Sequence, residues 1–239
     1  VDLGLDGRCY LLTAASSGLG FAAARALVDE GAKVVLCARD PDRLHRAVDR
    51  LAPGHAVGVA ADLLAPTTPD LLLDTAHRTF GRLDGALLGT GSSARGTVLD
   101  ATDQDWRTHF ELLFLAVLRC ARTIAPALPA DGALALLLST SARAPLPGFA
   151  LSTGLRPGLA MAARSLAAEL GPRGIRVLSL LPGRFPTEGA PLEPTETFPA
   201  TALRRPGRPE EFGRTAAFCL SPAASYLTGT EIVVDGGKP

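Results

Sequence analysis

The chain has 239 residues, 47% of them hydrophobic and 20% charged, and its 24 basic and 24 acidic side chains cancel to a formal net charge of zero. Such a length and balance suit a single globular α/β domain with a large core, and with no basic patch, nucleic acid is an unsuitable partner. Cys9, Cys37, Cys120 and Cys219 form no CxxC pair and no His/Cys cluster of metal-ligand spacing, so reduced thiols and no metal are expected. No apolar run approaches the ~20 residues that span a bilayer. The first residues carry no signal-peptide pattern, and a cytoplasmic protein without membrane contact is expected.

Short apolar runs then alternate with helical periodicity. The pattern predicts a strand over Arg8–Thr13, a glycine-rich turn, and a helix over Leu19–Glu30 that stops at Gly31. Lys33–Ala38 reads as a second strand, and Asp40–Leu51 as a helix with Pro41 in its first turn. Ala56–Ala61, Leu83–Leu88, Ala133–Leu138, Ile175–Leu181 and Glu231–Val234 read as further strands. Helices are expected over Pro69–Phe80, Thr102–Ala125, Ser152–Leu170 and Pro209–Leu220. This alternation predicts one Rossmann-type α/β domain over 1–239, a doubly wound parallel sheet with helices on both faces. One stretch, Gly183–Arg208, is irregular and rich in Pro, Thr and Glu, which suits a substrate or lid loop.

The turn Thr13-Ala-Ala-Ser-Ser-Gly18-Leu-Gly20 joins the first strand to the first helix. Small residues there let backbone approach a pyrophosphate, and the helix N-terminus supplies free N–H groups. The same glycines also serve a tight turn and close packing alone. Ala14 fits this turn only with φ below zero. Arg39, after the second strand, stands where a ribose 2′-phosphate would lie, which favours NADP(H) over NAD(H); a solvated surface arginine is the plain alternative. Asp62 is placed to accept from an adenine amino group.

With Asp62, Pro182-Gly183 and the ending Ser225-Tyr-Leu-Thr-Gly-Thr-Glu-Ile-Val-Val-Asp-Gly-Gly237, this turn resembles the short-chain dehydrogenases/reductases over essentially the whole chain. In detail the chain looks like the atypical subgroup described as β-ketoacyl-acyl-carrier-protein-reductase-like. The resemblance implies a nicotinamide cofactor held by Thr13, Ser16, Gly18, Leu19, Gly20, Arg39, Asp62, Gly91, Pro182, Gly183 and Thr187. It also implies a small-molecule substrate, and a homodimer or homotetramer built on the helices Thr102–Ala125 and Arg156–Leu170.

The family's reaction residues depart from their pattern. The chain holds no asparagine, two lysines (Lys33, Lys238) and two tyrosines (Tyr10, Tyr226). The family's Asn-Asn-Ala-Gly reads Leu88-Gly-Thr-Gly91, and its helix asparagine falls at Leu113. Its catalytic serine falls at Ser139, and its Tyr-x-x-x-Lys at Ser152-Thr-Gly-Leu-Arg156. In the family the tyrosine exchanges the proton and the lysine lowers its pKa; an alkyl hydroxyl is a far weaker acid. Ser139, Ser152 and Arg156 remain as candidate catalytic groups, the arginine as a permanent cation with a fork of donors. His109, one turn before Leu113, is a substitute acid or a packing residue, and Arg143 borders the pocket or is solvated. Pro157 disfavours a helix interior, so the helix is expected to begin near Arg156, with Ser152–Leu155 irregular. Three readings follow: a reductase or dehydrogenase of carbonyl or hydroxyl substrates, a non-catalytic cofactor-binding or partner subunit, and a non-redox enzyme using Ser139 and Arg156.

Overall fold

The computed structural model describes residues 1–91, 93–188, 191 and 201–238. Seven strands form one sheet: β1 Cys9–Thr13, β2 Lys33–Ala38, β3 Ala56–Ala60, β4 Gly85–Leu88, β5 Ala133–Leu137, β6 Arg176–Pro182 and β7 Thr230–Val234. Their order is β3-β2-β1-β4-β5-β6-β7 and every neighbouring pair is parallel. The chain winds outward from β1 to β3, crosses back to β4, and continues the other way. That reversal leaves a crevice beyond the carboxyl ends of β1 and β4, where ligands bind in open α/β sheets.

Among the described residues seven α-helices accompany the strands: α1 Gly18–Asp29, α2 Pro41–Asp49, α3 Thr68–Phe80, α4 Asp103–Phe110, α5 Ala116–Ile124, α6 Ala150–Leu170 and α7 Pro209–Leu220. Local chemistry sets several starts. Asp40 accepts from the Arg43 N–H at 3.0 Å and Pro41 occupies the first turn of α2. Thr102 and Asp105 make a reciprocal capping box at α4. Leu27, Leu44 and Phe212, from α1, α2 and α7, pack one face of the sheet. The other face is covered by Leu72, Ile124 and Leu159, from α3, α5 and α6. Strands between two apolar layers need apolar residues throughout, which is why β1 and β6 are buried along their whole length.

Buried charges lie mostly at the end of the sheet away from the crevice. Asp84 accepts from the Cys9 N–H at 2.8 Å and from both ends of the Arg82 fork, at 2.8 and 2.7 Å. Arg8 reaches Asp131 at 2.6 Å beside it. Among the described residues the buried Arg176 has no carboxylate partner. It donates to the carbonyls of Cys219 and Ser221 at 2.7 and 2.8 Å, so the carbonyl end of α7 answers its charge. All four cysteines are free and buried, and burial pushes Cys9 and Cys37 up to about 12 and Cys120 and Cys219 up to about 11.

Two expectations are corrected. First, α6 is continuous from Ala150 and carries Pro157 in its interior. Close packing at small residues holds it: a Cβ on Gly154 would lie 2.6 Å from the Trp106 ring, and one on Gly158 would lie 3.3 Å from Phe114. Second, Ala14 has φ +51, on the left-handed side. Its neighbours impose that turn: the Ala15 N–H donates to the Cys37 carbonyl at 3.2 Å, and Gly20 is pressed against Ala14. The long helix expected over Thr102–Ala125 is α4 and α5 joined by a π-helical turn, Glu111–Leu115. Of the irregular stretch Gly183–Arg208, residues 189–190 and 192–200 lie outside the described residues.

Candidate active site

The glycine-rich turn after β1 sits at the mouth of the crevice. Thr13 closes β1 and is buried; its hydroxyl donates to the Gly89 carbonyl at 2.6 Å and accepts from the Gly89 N–H at 2.7 Å. This pair clamps β1 to the segment after β4 at the point where the winding reverses. Gly18 has φ +59, which favours glycine, and a Cβ on Gly20 would lie 2.7 Å from the Ala14 carbonyl oxygen, which requires it. Ser17, the N-cap of α1, makes no side-chain capping bond. Among the described residues no side chain accepts from the first N–H groups of α1, the arrangement that receives phosphate.

The remaining cofactor candidates surround this turn. Ser16 is half-buried within it, and Leu19 packs on the core under α1. Arg39 is exposed at the end of β2 and has no hydrogen bond or ion pair among the described residues. Asp62 accepts from the Leu64 N–H at 3.0 Å, which orders the turn after β3. Thr187 lies over Gly18, its Cγ2 3.4 Å from where a Cβ would be. The Gly183 N–H, after Pro182, donates to the Val234 carbonyl at 2.9 Å. Gly91 turns with φ +86 and offers its carbonyl to Arg156. The glycine cradle and the uncapped helix end fit a dinucleotide.

Beyond the end of β5 lies the second half of the site. Ser139 opens a 3-10 turn over Thr140–Ala142, and its hydroxyl accepts from the Ser141 N–H at 3.2 Å. The Ser141 hydroxyl meets the Ser152 hydroxyl at 2.9 Å. Ser152 accepts from Arg156 Nε at 3.0 Å, one turn along α6. Arg156 is 6% exposed and donates its other nitrogens to the carbonyls of Leu137 at 3.2 Å and Gly91 at 3.3 Å. No carboxylate pairs with it among the described residues, and burial pushes its pKa down to about 10. Ser152 and Arg156 thus meet directly, while Ser139 joins them through Ser141. Sequence reasoning missed Ser141; its one signal is a second serine two positions after Ser139.

Other candidates are engaged elsewhere. His109 Nδ1 faces the Asp105 carbonyl at 2.9 Å, and Nε2 accepts from the Ala94 N–H at 3.4 Å. That fixes the Nδ1–H tautomer and makes the ring a pin for the loop after β4. Arg143 pairs with Glu231 at 2.6 Å, as does Arg164 at 3.2 Å. Tyr10 is 1% exposed and its hydroxyl points to the Leu220 carbonyl, whereas Tyr226 is wholly exposed. Neither phenol reaches the site. Leu113 is buried in the π-helical turn, a distortion frequent at functional sites.

A family model described as enoyl-(acyl carrier protein) reductase matches residues 13–238. The oxidoreductase UcpA of Escherichia coli K12 is 32% identical over 253 residues, covering 98% of this chain and 95% of the relative. Among solved structures, L-sorbose reductase from Gluconobacter frateurii complexed with NADPH and L-sorbose aligns with a TM-score of 0.90 at 28% identity, over 100% of this chain and 98% of the other. A short-chain oxidoreductase from Pseudomonas aeruginosa PAO1, described as containing an atypical catalytic center, aligns at 0.89 and 28% identity, over 100% and 99% of the two chains. Taken with the sheet order, the glycine turn and the residues beyond β5, these matches show that the chain belongs to the short-chain dehydrogenase/reductase family of oxidoreductases.

Proposed function

We propose that the protein is a nicotinamide-dependent oxidoreductase of a carbonyl or hydroxyl group on a small molecule, working without the asparagine, tyrosine and lysine of its family. The observation that carries the reading is the uncapped, glycine-lined start of α1 at the sheet's crevice. Thr13, Ser16, Gly18, Leu19, Gly20, Asp62, Gly91, Pro182, Gly183 and Thr187 form the cofactor's side of the site. When bound, the nicotinamide supplies or takes up a hydride. The free Arg39 supports NADP(H) over NAD(H), because a guanidinium forks onto a phosphate where a hydroxyl needs no cation. An atypical catalytic center described for a structurally similar short-chain oxidoreductase supports chemistry outside the usual set. The same reading takes the protein as a cytoplasmic homodimer or homotetramer. Exposed apolar side chains on the outer helices, Phe110 stacked on Phe114 at 5.1 Å and Met161, support association.

Titration with NADPH and NADH, followed by calorimetry or nicotinamide fluorescence, tests this. Saturable NADPH binding is expected, with Arg39→Ala weakening it about tenfold, near 1.4 kcal/mol, and leaving NADH unaffected. No binding of either cofactor up to millimolar concentration overturns the reading.

A second reading is a cofactor-binding partner subunit, or a non-redox enzyme in the same pocket. Its supporting observation is that the Arg156 donors face protein acceptors and no phenol stands nearby. Binding without NADPH oxidation across a carbonyl panel favours the subunit, and product formed without any change in cofactor redox state favours the non-redox enzyme.

A further inference from the structure

The hydrogen bonds beyond β5 form a chain. Arginine only donates, so the Ser152 hydroxyl oxygen accepts from Arg156 Nε at 3.0 Å. The Ser152 hydroxyl meets the Ser141 hydroxyl at 2.9 Å, a contact in which either oxygen can donate. Ser141 then donates its backbone N–H to the Ser139 oxygen at 3.2 Å. The Ser139 hydroxyl proton has no acceptor among the described residues.

A gradient of burial runs along it. Ser152 and Ser141 are 4% and 1% exposed, and Ser139 is half-buried at the carboxyl end of β5. The cation at the inner end also joins three segments. It holds Leu137, two residues before Ser139, and Gly91, beyond β4, to α6. A buried cation without a carboxylate is unfavourable unless other acceptors answer its charge. Arg176 meets that cost at a helix end; the acceptors of Arg156 include none.

We propose that Arg156, Ser152 and Ser141 are positioning residues that hold Ser139 as a hydrogen-bond donor to the substrate carbonyl oxygen. This rests on the oxidoreductase reading. Reduction adds the hydride of the reduced nicotinamide to the carbonyl carbon and moves the π pair onto oxygen. Ser139 donates a hydrogen bond to that oxygen and keeps its proton; water then protonates the alkoxide, leaving hydroxide. Ser139 is the catalytic residue, and the bonds from Arg156 through Ser152 to the Ser141 hydroxyl anchor the turn whose N–H holds the Ser139 oxygen.

The first test needs no turnover. In 15N-labelled protein the Arg156 Nε–H resonance is expected to exchange slowly with solvent. It should lose protection in Ser152→Ala and shift in Ser141→Ala, which keeps the backbone N–H to Ser139. Fast exchange in the wild type overturns the chain itself.

The second test uses NADPH with ethyl acetoacetate, L-sorbose and phenanthrenequinone as probes. Ser139→Ala is expected to lower kcat about 100-fold, the scale of one lost oxyanion donor. Ser141→Ala and Ser152→Ala are each expected to lower kcat about tenfold, with substrate KM and NADPH affinity unchanged. Ser139→Ala/Ser141→Ala should be no slower than Ser139→Ala, because Ser141 acts only through Ser139. Ser141→Ala lowering kcat equally in both backgrounds, or in neither, overturns the positioning role and leaves the oxidoreductase reading standing. A wild type that oxidises NADPH with none of the probes overturns that reading and the role of Ser139 with it, whatever the resonance shows.

Discussion

At the residue scale, Ala14 is the most exposed conflict between local preference and context. A left-handed alanine costs about 1–2 kcal/mol relative to the right-handed region, and glycine gives part of that back as unfolded-state entropy. Ala14→Gly is therefore expected to stabilise the protein by about 1 kcal/mol, read as a higher urea midpoint with unchanged slope. A lower midpoint would contradict the φ of +51. The site residues divide in the same way. The family resemblance places Ser139, Ser152 and Arg156 in one site. That Arg156 donates inward to two carbonyls, and that Ser141 links the serines, depends on how β4, β5 and α6 meet.

At the element scale, strand and helix identities were legible because buried parallel strands and two-sided helices leave different apolar periods. Interruptions were not. Pro157 has no N–H for the Thr153 carbonyl and still lies inside α6. Its neighbours Leu151, Leu159, Ala160 and Ala163 are buried, and that packing outweighs the local cost. Pro157→Ala is expected to raise stability by about 1–2 kcal/mol, the helix-interior penalty less the lost rigidity of the unfolded chain. Thermal melting checks it; a lower melting temperature would mean the ring itself is packed to advantage. The π-helical turn at Leu113 likewise has no sequence signal.

At the scale of the whole molecule, charge sets an acid limit. Hydrogen bonds from Arg8 and from Thr102 hold the Asp131 and Asp105 carboxyls below the usual range, and the hydrogen bond from Arg205 holds Glu211 down to about 2. Unfolded carboxyls titrate near ~4, so the folded state binds these protons more weakly than the unfolded state does. Their stabilisation is complete above that value and is lost as pH falls toward 2. The melting temperature is expected to be level above about pH 5 and to drop below it, with Glu211→Gln dropping less steeply. Asp131 and Asp105 are exposed and Glu211 is half-buried, so salt should shrink the effect, least at Glu211. A melting temperature unchanged down to pH 2 would rule these pairs out as contributors.

Sequence alone determined the alternating architecture, the place of the glycine turn and the absence of the family's asparagine, tyrosine and lysine from their positions. Each of these is a matter of residue type at a spacing, and spacing is a local property of the chain. The seven-strand order, the strained Ala14, the unbroken α6 and the hydrogen-bond chain from Arg156 to Ser139 were decided by tertiary structure. In each case distant segments meet, and the packing they gain outweighs what any short stretch of sequence prefers.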